Sequence, residues 1–468
     1  MKVEQIYTGC IAHAAYYIEN NGEAAIFDPL REVGPYIDSA TADGAQIKYI
    51  FETHFHADFV SGHLDLAQKT GASIVYGPTA KPDFEAIIAT DGQEFKIGNY
   101  TIKALHTPGH TLESTCYLLI DENGNPHGII TGDTLFIGDV GRPDLAQKLV
   151  GDLTEEVLAG YLYDSLRTKI MPLSDNLIVY PNHGAGSACG KNMSKETTDT
   201  LGNQKKVNYA LRADMTKEEF IKELLDGLTP PPAYFPQNVL LNIKGYASLE
   251  SVLKKGNVKL SPTDFKALAQ QTQAIVLDVR HENDFVKEHI PSSIFIGLQG
   301  QFAPWVGALI RDVQQPLLLI TPEGKEEETL IRLSRVGFDH TLGILDGGIE
   351  AWKKAGFETD AIETVSPATF AQDYTNKPVI DARRPGEYQA EHIEGAQNIP
   401  LDFINELYQE VPKETSFYIH CAGGYRSVIL SSILKARGYH NMINVAEGMA
   451  GIRKTNVKLT AFVCPSQL

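Results

Sequence analysis

The sequence predicts a multi-domain α/β protein, and three observations carry that expectation. At 468 residues the chain is longer than one ordinary hydrophobic core organises, so about two to four domains are expected. Its N-terminal part alternates short β-rich runs with helical patterns. In its C-terminal half a segment of about a hundred residues recurs, which is the size of a whole small domain and not of a solenoid unit.

In the first part, β runs are expected at 24–27, 73–76, 100–105, 115–120, 128–131 and 177–180, with a helical pattern such as 64–69 between them. Thr216-Lys217-Glu218-Glu219 is a capping box that opens a helix ending near Gly227. The Pro-rich 229–236 cannot continue that helix and reads as an extended surface segment. The Lys/Gly stretch 254–257 marks the expected end of the first domain, which divides the chain into 1–257, 258–362 and 363–468.

The repeat lies beyond that boundary. Ser261-Pro262-Thr263-Asp264-Phe265 opens one copy and Ser366-Pro367-Ala368-Thr369-Phe370 the other. Asp278-Val279-Arg280 recurs as Asp381-Ala382-Arg383, and His289-Ile290 as His392-Ile393, at the same offset. Apolar runs at 274–277, 317–320, 379–380 and 417–419 alternate with helical patterns, as a parallel sheet with crossover helices requires.

Composition excludes several classes of partner. A net charge of −18 argues against nucleic acid, whose phosphates need an excess of Lys and Arg, and equally against an anionic membrane surface. The first eight residues lack the basic-then-apolar run of a signal peptide, and no run of about 18 apolar residues suggests a membrane span. Five scattered cysteines, Cys10, Cys116, Cys189, Cys421 and Cys464, form no CxxC pair and read as reduced thiols of a cytoplasmic protein. A homo-oligomer is among the assemblies this composition leaves open.

Eight of the fourteen histidines precede Gly184, and several follow predicted strands. The central segment is Thr53-His54-Phe55-His56-Ala57-Asp58-Phe59, in which two imidazoles and a carboxylate at alternate positions can converge on a metal. His110 in Thr107-Pro108-Gly109-His110, Asp133 in Thr131-Gly132-Asp133 and His183 in Pro181-Asn182-His183 add further donors. A lone His is more often a satisfied core or surface residue, but four such segments, each past a predicted strand, point to a metal centre.

This set resembles the metallo-β-lactamase superfamily, over roughly residues 1–250, and the resemblance implies an αββα sandwich with metal at one edge of its sheets. Binuclear members carry HxHxDH, whose last His helps hold a second metal. Phe59 stands there and cannot ligate, so the second site is expected to be dismantled. Within the superfamily the chain looks most like the persulfide dioxygenases. That resemblance implies one mononuclear non-haem Fe(II) held by His54, His110 and Asp133, a two-His, one-carboxylate set suited to O₂ chemistry. His56, Asp58 and His183 would then orient the ligands and bound water. In Gly141-Arg142-Pro143-Asp144, Arg142 would hold an anion on the thiol carrier, or pair with Asp144, or both. Cys189, in the Gly-rich loop after His183, would lie near the mouth of the site and accept sulfur, or be an unreactive loop thiol.

His420-Cys421-Ala422-Gly423-Gly424-Tyr425-Arg426-Ser427 sets a thiol between a β run and a helical pattern, where loop amides and the helix N-terminus favour a thiolate or persulfide anion. The segment resembles the active loop of rhodanese sulfurtransferases, with Cys421 and Arg426 catalytic, Gly423, Gly424 and Ser427 around the substrate, and Asp381 and Arg383 bracing the loop. Two rhodanese-like parallel-sheet domains are therefore expected. The late Gly-Gly-x-x-x-Trp signal of the family departs here to Glu447-Gly448-Met449-Ala450-Gly451-Ile452, whereas the first copy keeps it as Gly347-Gly348 through Trp352. The first copy has no cysteine in its counterpart loop near Thr321, and Glu323, Glu326, Glu327 and Glu328 would repel anions. It reads as a catalytically dead spacer or docking domain.

The expected function is oxidation of a low-molecular-weight thiol persulfide with O₂ to sulfite, coupled to sulfur transfer at Cys421 that joins sulfite to sulfane sulfur as thiosulfate, in sulfide detoxification. Two alternatives stand beside it: a glyoxalase II-like zinc thioester hydrolase, and a non-catalytic sulfur relay.

Overall fold

A computed structural model describes residues 2–145 and 153–463, so Cys464 lies outside the described residues. The chain divides into two compact units, Met1–Val252 with Leu333–Gly337, and Leu253–Arg332 with Phe338–Leu468.

The first unit is built on two six-stranded sheets. One runs β1 (Lys2–Thr8), β2 (His13–Asn20), β3 (Glu23–Phe27), β4 (Gln46–Phe51), β5 (Ser73–Tyr76) and β6 (Ile87–Ile88), antiparallel as far as β3 and parallel after it. The other is formed by β7 (Glu94–Ile97), β8 (Tyr100–His106), β9 (Thr115–Ile120), β10 (Pro126–Gly132), β11 (Ile178–Pro181) and β12 (Asp199–Thr200), adjacent in that order, with only β10 and β11 parallel. Side chains alternate across each strand. Tyr117 and Leu119 of β9 therefore join Tyr16, Phe27, Phe51 and Ile102 in the core between the sheets. Cys116 and Leu118 turn the other way, onto Leu162 of the helix Glu155–Ser165 and Phe220 of the helix Lys217–Leu225. Helices Gly34–Ala42 and His63–Thr70 pack on β4 of the first sheet. The layers are helix, sheet, sheet, helix, and the αββα sandwich is present.

The expected runs lie within or overlap strands β3, β5, β8, β9, β10 and β11. The Thr216 capping box forms, with the Glu219 N–H donating to Thr216 Oγ1 and the Thr216 N–H to Glu219 Oε2. One reading differs. The segment 229–236 does not stay extended to its end, because Pro236 sits in the first turn of the helix Phe235–Lys244, where its missing N–H has no intrahelical partner to lose. The stretch 254–257 begins in the last turn of the helix Leu249–Gly256.

The second unit holds two five-stranded parallel sheets of one topology. The first, β13 (Lys259–Leu260), β14 (Ile275–Asp278), β15 (Ile294–Phe295), β16 (Leu317–Ile320) and β17 (Thr341–Leu345), has the order β13-β17-β16-β14-β15. The second, β18 (Thr364–Val365), β19 (Val379–Asp381), β20 (Gln397–Asn398), β21 (Phe417–His420) and β22 (Met442–Val445), has the order β18-β22-β21-β19-β20. The repeat extends to hydrogen bonds. Ser261 and Ser366 each cap the first helix of their copy, with Pro262 and Pro367 in its first turn. Arg280 and Arg383 each clamp the Asp two residues back, Nη2 to Oδ2 at 2.6 Å, and each donates to the carbonyl of the residue before the repeated His.

The departure at 447–452 has a local cost. In the first copy Gly347 and Gly348 both have positive φ, 68° and 58°, without penalty. In the second copy Glu447 occupies the first of these positions at φ 57°. Gly448 is required: a Cβ there would lie 2.2 Å from the Cys421 carbonyl oxygen. Ile452 replaces the indole and is fully buried. The Glu447–Lys454 ion pair, at 3.8 Å between exposed side chains, offsets little of the backbone strain. Left-handed backbone costs a non-Gly residue about 1–2 kcal/mol, and the greater unfolded entropy of Gly returns about half of that. Glu447→Gly should therefore raise the stability of the second unit by about 0.5–1 kcal/mol, read as a rise in its thermal unfolding midpoint. An unchanged or lowered midpoint would contradict the strain.

Candidate metal centre and sulfur-carrying loop

Every donor of the candidate metal centre follows the end of a strand: Asp28 after β3, the 53–58 segment after β4, His110 beyond β8, Asp133 after β10 and His183 after β11. The Gly in Thr131-Gly132-Asp133 has a packing reason. It has φ 53°, and a Cβ on it would lie 2.6 Å from the Thr53 Cβ, so only glycine lets these two loops close.

His54, His110 and Asp133 converge, all buried. Asp133 Oδ2 lies 3.5 Å from His110 Nε2 and 4.0 Å from His54 Nε2. On its other side Oδ1 lies 3.5 Å from His183 Nε2, which is also 3.4 Å from Asp58 Oδ2. The tautomers are dictated by carbonyls, which only accept. His110 Nδ1–H donates to Arg142 O at 2.7 Å and His183 Nδ1–H to Ala12 O at 3.0 Å. In the neutral rings both Nε2 atoms therefore turn lone pairs towards the Asp133 carboxylate, and neither oxygen of Asp133 has a hydrogen-bond partner. Burial, and then crowding by His56, His110 and His183, hold the His54 pKa well below its usual range, which keeps the ring in its ligating form. Facing lone pairs in a buried site call for a cation between them, and the N₂O donor set suits a divalent transition metal.

His56 is set apart. Its Nε2 bonds Asp28 Oδ1 at 2.9 Å and approaches Glu52 Oε2 at 3.3 Å. Burial alone would lower its pKa, but the two carboxylates outweigh that and raise it well above the ordinary value. Asp28 also accepts from the Thr53 N–H at 2.8 Å and from Asn182 Nδ2 at 2.8 Å, which ties three donor loops to one carboxylate. Asp28 itself has φ 48°, and Ala12, which receives His183, has φ 51°, so backbone strain gathers at the site. Asp28, Glu52 and Asn182 were not singled out from the sequence. The one available signal was Asp28, a carboxylate directly after a β run.

Phe59 fills the position expected to be lost to a second metal, its ring 4.2 Å from that of His13 and 4.3 Å from that of His56. Asp58, His183 and Cys189 nonetheless form a second buried group of donors beside the first. Burial, then the Asp58 and Asp133 carboxylates, push the Cys189 thiol well above its usual pKa. Arg142 is buried, with Nε donating to Asp144 Oδ1 at 2.6 Å and Nη2 to Asp144 Oδ2 and Thr229 O, both at 2.5 Å. A carrier anion would have to displace Asp144 to reach it.

In the second unit Cys421 follows β21, and the Gly424 N–H points to its Sγ at 3.1 Å, at the start of the helix Tyr425–Ala436. Ser427 Oγ lies 3.0 Å from Gly424 O and 2.8 Å from Asn444 Oδ1, so it braces the loop from within and does not face the opening. Gly423 and Arg426 line a cavity of about 380 Å³ over the thiol. Arg426 is held by Glu387 through two bonds, Nη1–Oε2 2.6 Å and Nη2–Oε1 2.8 Å. In the cysteine-less copy the glutamates are partly neutralised, Glu326 by Lys259 and Glu328 by Lys325 and Arg332.

Residues 8–183 match the metallo-beta-lactamase superfamily, and residues 261–355 and 366–455 each match the rhodanese-like domain. A probable hydroxyacylglutathione hydrolase of Schizosaccharomyces pombe is 30% identical over 183 residues, 38% of this chain and 66% of that protein. A hydroxyacylglutathione hydrolase of Rhizobium etli is 34% identical over 169 residues, 35% of this chain and 58% of that protein. The chain thus spans less than two thirds of the length of either relative. A solved metallo-beta-lactamase from Staphylococcus aureus is 30% identical with a TM-score of 0.65, over 73% of this chain and 98% of that one. The chain belongs to the metallo-beta-lactamase superfamily. It is a particular form of it, in which a metallo-beta-lactamase domain is followed by two rhodanese-like domains.

The Asp28 contacts lead to a prediction. Asp28→Ala should weaken divalent-metal affinity by about 10–100-fold, although Asp28 is outside the His54–His110–Asp133 set, because partners that orient ligands carry effects of that size. Chelator-competition titration of the full chain measures it, and wild-type affinity would refute the role.

Proposed function

We propose that the first unit oxidises a low-molecular-weight thiol persulfide with O₂ and that Cys421 of the second carries sulfane sulfur. The observation that carries the first half is the Asp133 carboxylate, unpartnered between the Nε2 atoms of His54, His110 and His183, with Phe59 where binuclear members place a histidine. His54, His110 and Asp133 would hold a mononuclear Fe(II), which when bound supplies a site where O₂ and a persulfide sulfur meet. The chain's own part is to hold the His54 pKa low, to fix His110 through the Arg142 carbonyl and His183 through the Ala12 carbonyl, and to exclude bulk water by burial. One persulfide, one O₂ and one water balance to the free thiol, sulfite and two protons.

The second half rests on the Sγ of Cys421, cradled by the Gly424 amide at a helix N-terminus. A persulfide on Cys421 attacked by sulfite returns the Cys421 thiolate and releases thiosulfate. The middle domain offers no substitute, since its counterpart loop has no cysteine.

A second reading is a thioester hydrolase with two metals. It is favoured by the relatives named hydroxyacylglutathione hydrolases and by the Asp58–His183–Cys189 donors beside the first set. Metal analysis separates the two: about one iron per chain for the oxygenase, two metals with zinc for the hydrolase.

His54→Ala and Asp133→Ala should each lose the metal and all O₂ uptake with glutathione persulfide in an oxygen electrode, while sulfur transfer from thiosulfate continues. O₂ uptake at the wild-type rate in both variants would overturn the ligand set. Cys421→Ser should keep O₂ uptake but shift the product from thiosulfate to sulfite, because a serine hydroxyl forms no persulfide. Thiosulfate at the native rate would move the second centre away from Cys421, with Cys189 the next thiol to test.

A further inference from the structure

The first unit reaches beyond Val252 to take in Leu333–Gly337, a short stretch from far along the chain. The stretch holds the last residues of the helix Glu326–Arg335, whose final carbonyls have no further helical turn to accept from. Gly337, at φ 84°, turns the chain away just past the helix end, where glycine adopts that conformation without penalty. Leu333 and Val336 are fully buried.

Several loops of the first unit meet on Ser334 and Arg335. The Val60 N–H donates to Arg335 O at 2.7 Å. Arg31, fully buried, donates from Nη1 to Ser334 O at 3.1 Å, and the partial negative charge of a helix C-terminus favours a guanidinium there. The Arg335 guanidinium spans two more groups. Its Nη1 donates to Cys10 Sγ at 3.2 Å and its Nη2 to the Glu32 carboxylate.

Each of these partners adjoins a support of the metal centre. Cys10 lies in the turn that ends at Ala12, whose carbonyl fixes His183. Arg31 and Glu32 follow Asp28, the carboxylate that ties the donor loops together. Between them and Asp28 stands Pro29, whose carbonyl accepts from the Gly62 N–H at 2.7 Å. Val60 follows Asp58, which faces His183, and Phe59, whose ring stacks on His56. Arg31 also donates to Ala247 O at 2.6 Å and lies over the Tyr246 ring at 4.7 Å, while the Tyr246 hydroxyl donates to Ser61 O, beside Val60. Neither Ser334 nor Arg335 belongs to the donor set, so they can act on an ion only by fixing where the donor loops stand.

We propose that Ser334 and Arg335 complete the metal-holding unit, and that Arg335 is a positioning residue for its centre. It acts through Cys10, Glu32 and Val60 on the loops of His183, Asp28 and Asp58. The proposal rests on the metal centre of the first unit and not on which reaction that centre runs. The metal-holding domain is then not self-contained at residue 257.

The test reads bound metal in the full-length protein and not turnover. Cobalt(II) is the probe: chelator competition gives its affinity, and its visible absorption bands report the geometry of the donors. Arg335→Ala should weaken cobalt(II) binding by about tenfold, the lower end for partners that orient ligands, and shift the bands. Arg335→Lys should recover part of the loss, since an ammonium keeps the Glu32 pair but lacks the planar fork that also reaches Cys10. Cys10→Ala and Glu32→Gln each remove one arm of the contact at a half-buried position, and each should weaken binding severalfold. These two carry the test if Arg335→Ala does not fold. A lowered thermal midpoint with wild-type affinity and bands in all the variants would make Arg335 purely architectural and overturn the proposal. A lysine variant no better than alanine would overturn it too. A wild type that binds no cobalt(II) would instead be the failure of the His54–His110–Asp133 centre, and the proposal would fall with it.

Discussion

A buried carboxylate that faces imidazole lone pairs and has no proton donor of its own is a costly arrangement unless a cation sits among them. Asp133 is in that position, and much of the first unit serves to keep it there. Two six-stranded sheets present their strand ends to one place, Gly132 lets the β10 loop close on Thr53, and Asp28 ties the loops after β3, β4 and β11 to one another. The aromatic core between the sheets, with Phe27, Phe51 and Tyr117 in mutual contact, fixes the strands from which those loops start. Stability and metal affinity are therefore coupled: a change that loosens the sheets also moves the donors.

Much of this was legible in the sequence because the signals are short-range. A β run followed by His, Gly or Asp reports both the strand and the donor at its end, which is why β8, β10 and β11 could be read together with His110, Asp133 and His183. The repeat was legible for the same reason, since a Ser-Pro cap and an Asp-x-Arg fork are local grammar. What could not be read was long-range. Asp28 lies 154 residues from Asn182, its partner, and no local pattern announces that bond. The first two strands were missed because Lys2–Thr8 is a partly exposed strand without a clear apolar face, and β2 acquires its burial only from the sheet around it.

Charge at the Cys421 loop illustrates how motif and environment divide the information. The motif places Arg426 beside Cys421, and from the sequence that reads as an open positive charge. The structure binds it to Glu387, thirty-nine residues away and on a different helix. Nothing local to either residue announces that pairing. For Arg142 and Asp144, by contrast, proximity made the pair legible, and burial decides how accessible it is.

The two copies of the second unit also act as a control on each other. One has no cysteine in the loop after β16, and what the two share marks the demands of the fold. The Asp278–Arg280 fork survives beside a loop that carries no sulfur, with the same bond lengths as Asp381–Arg383. In both copies the fork ties the loop after the second strand to the residue before the repeated His, with or without a thiol nearby. Conversely, the cysteine-bearing copy has Glu447 in a left-handed conformation and Ile452 at the buried position, where the cysteine-less copy has the relaxed glycine and Trp352. Of the two duplicates, the one without the thiol is thus the better-built scaffold, and the Cys421 loop sits on a slightly strained version of it.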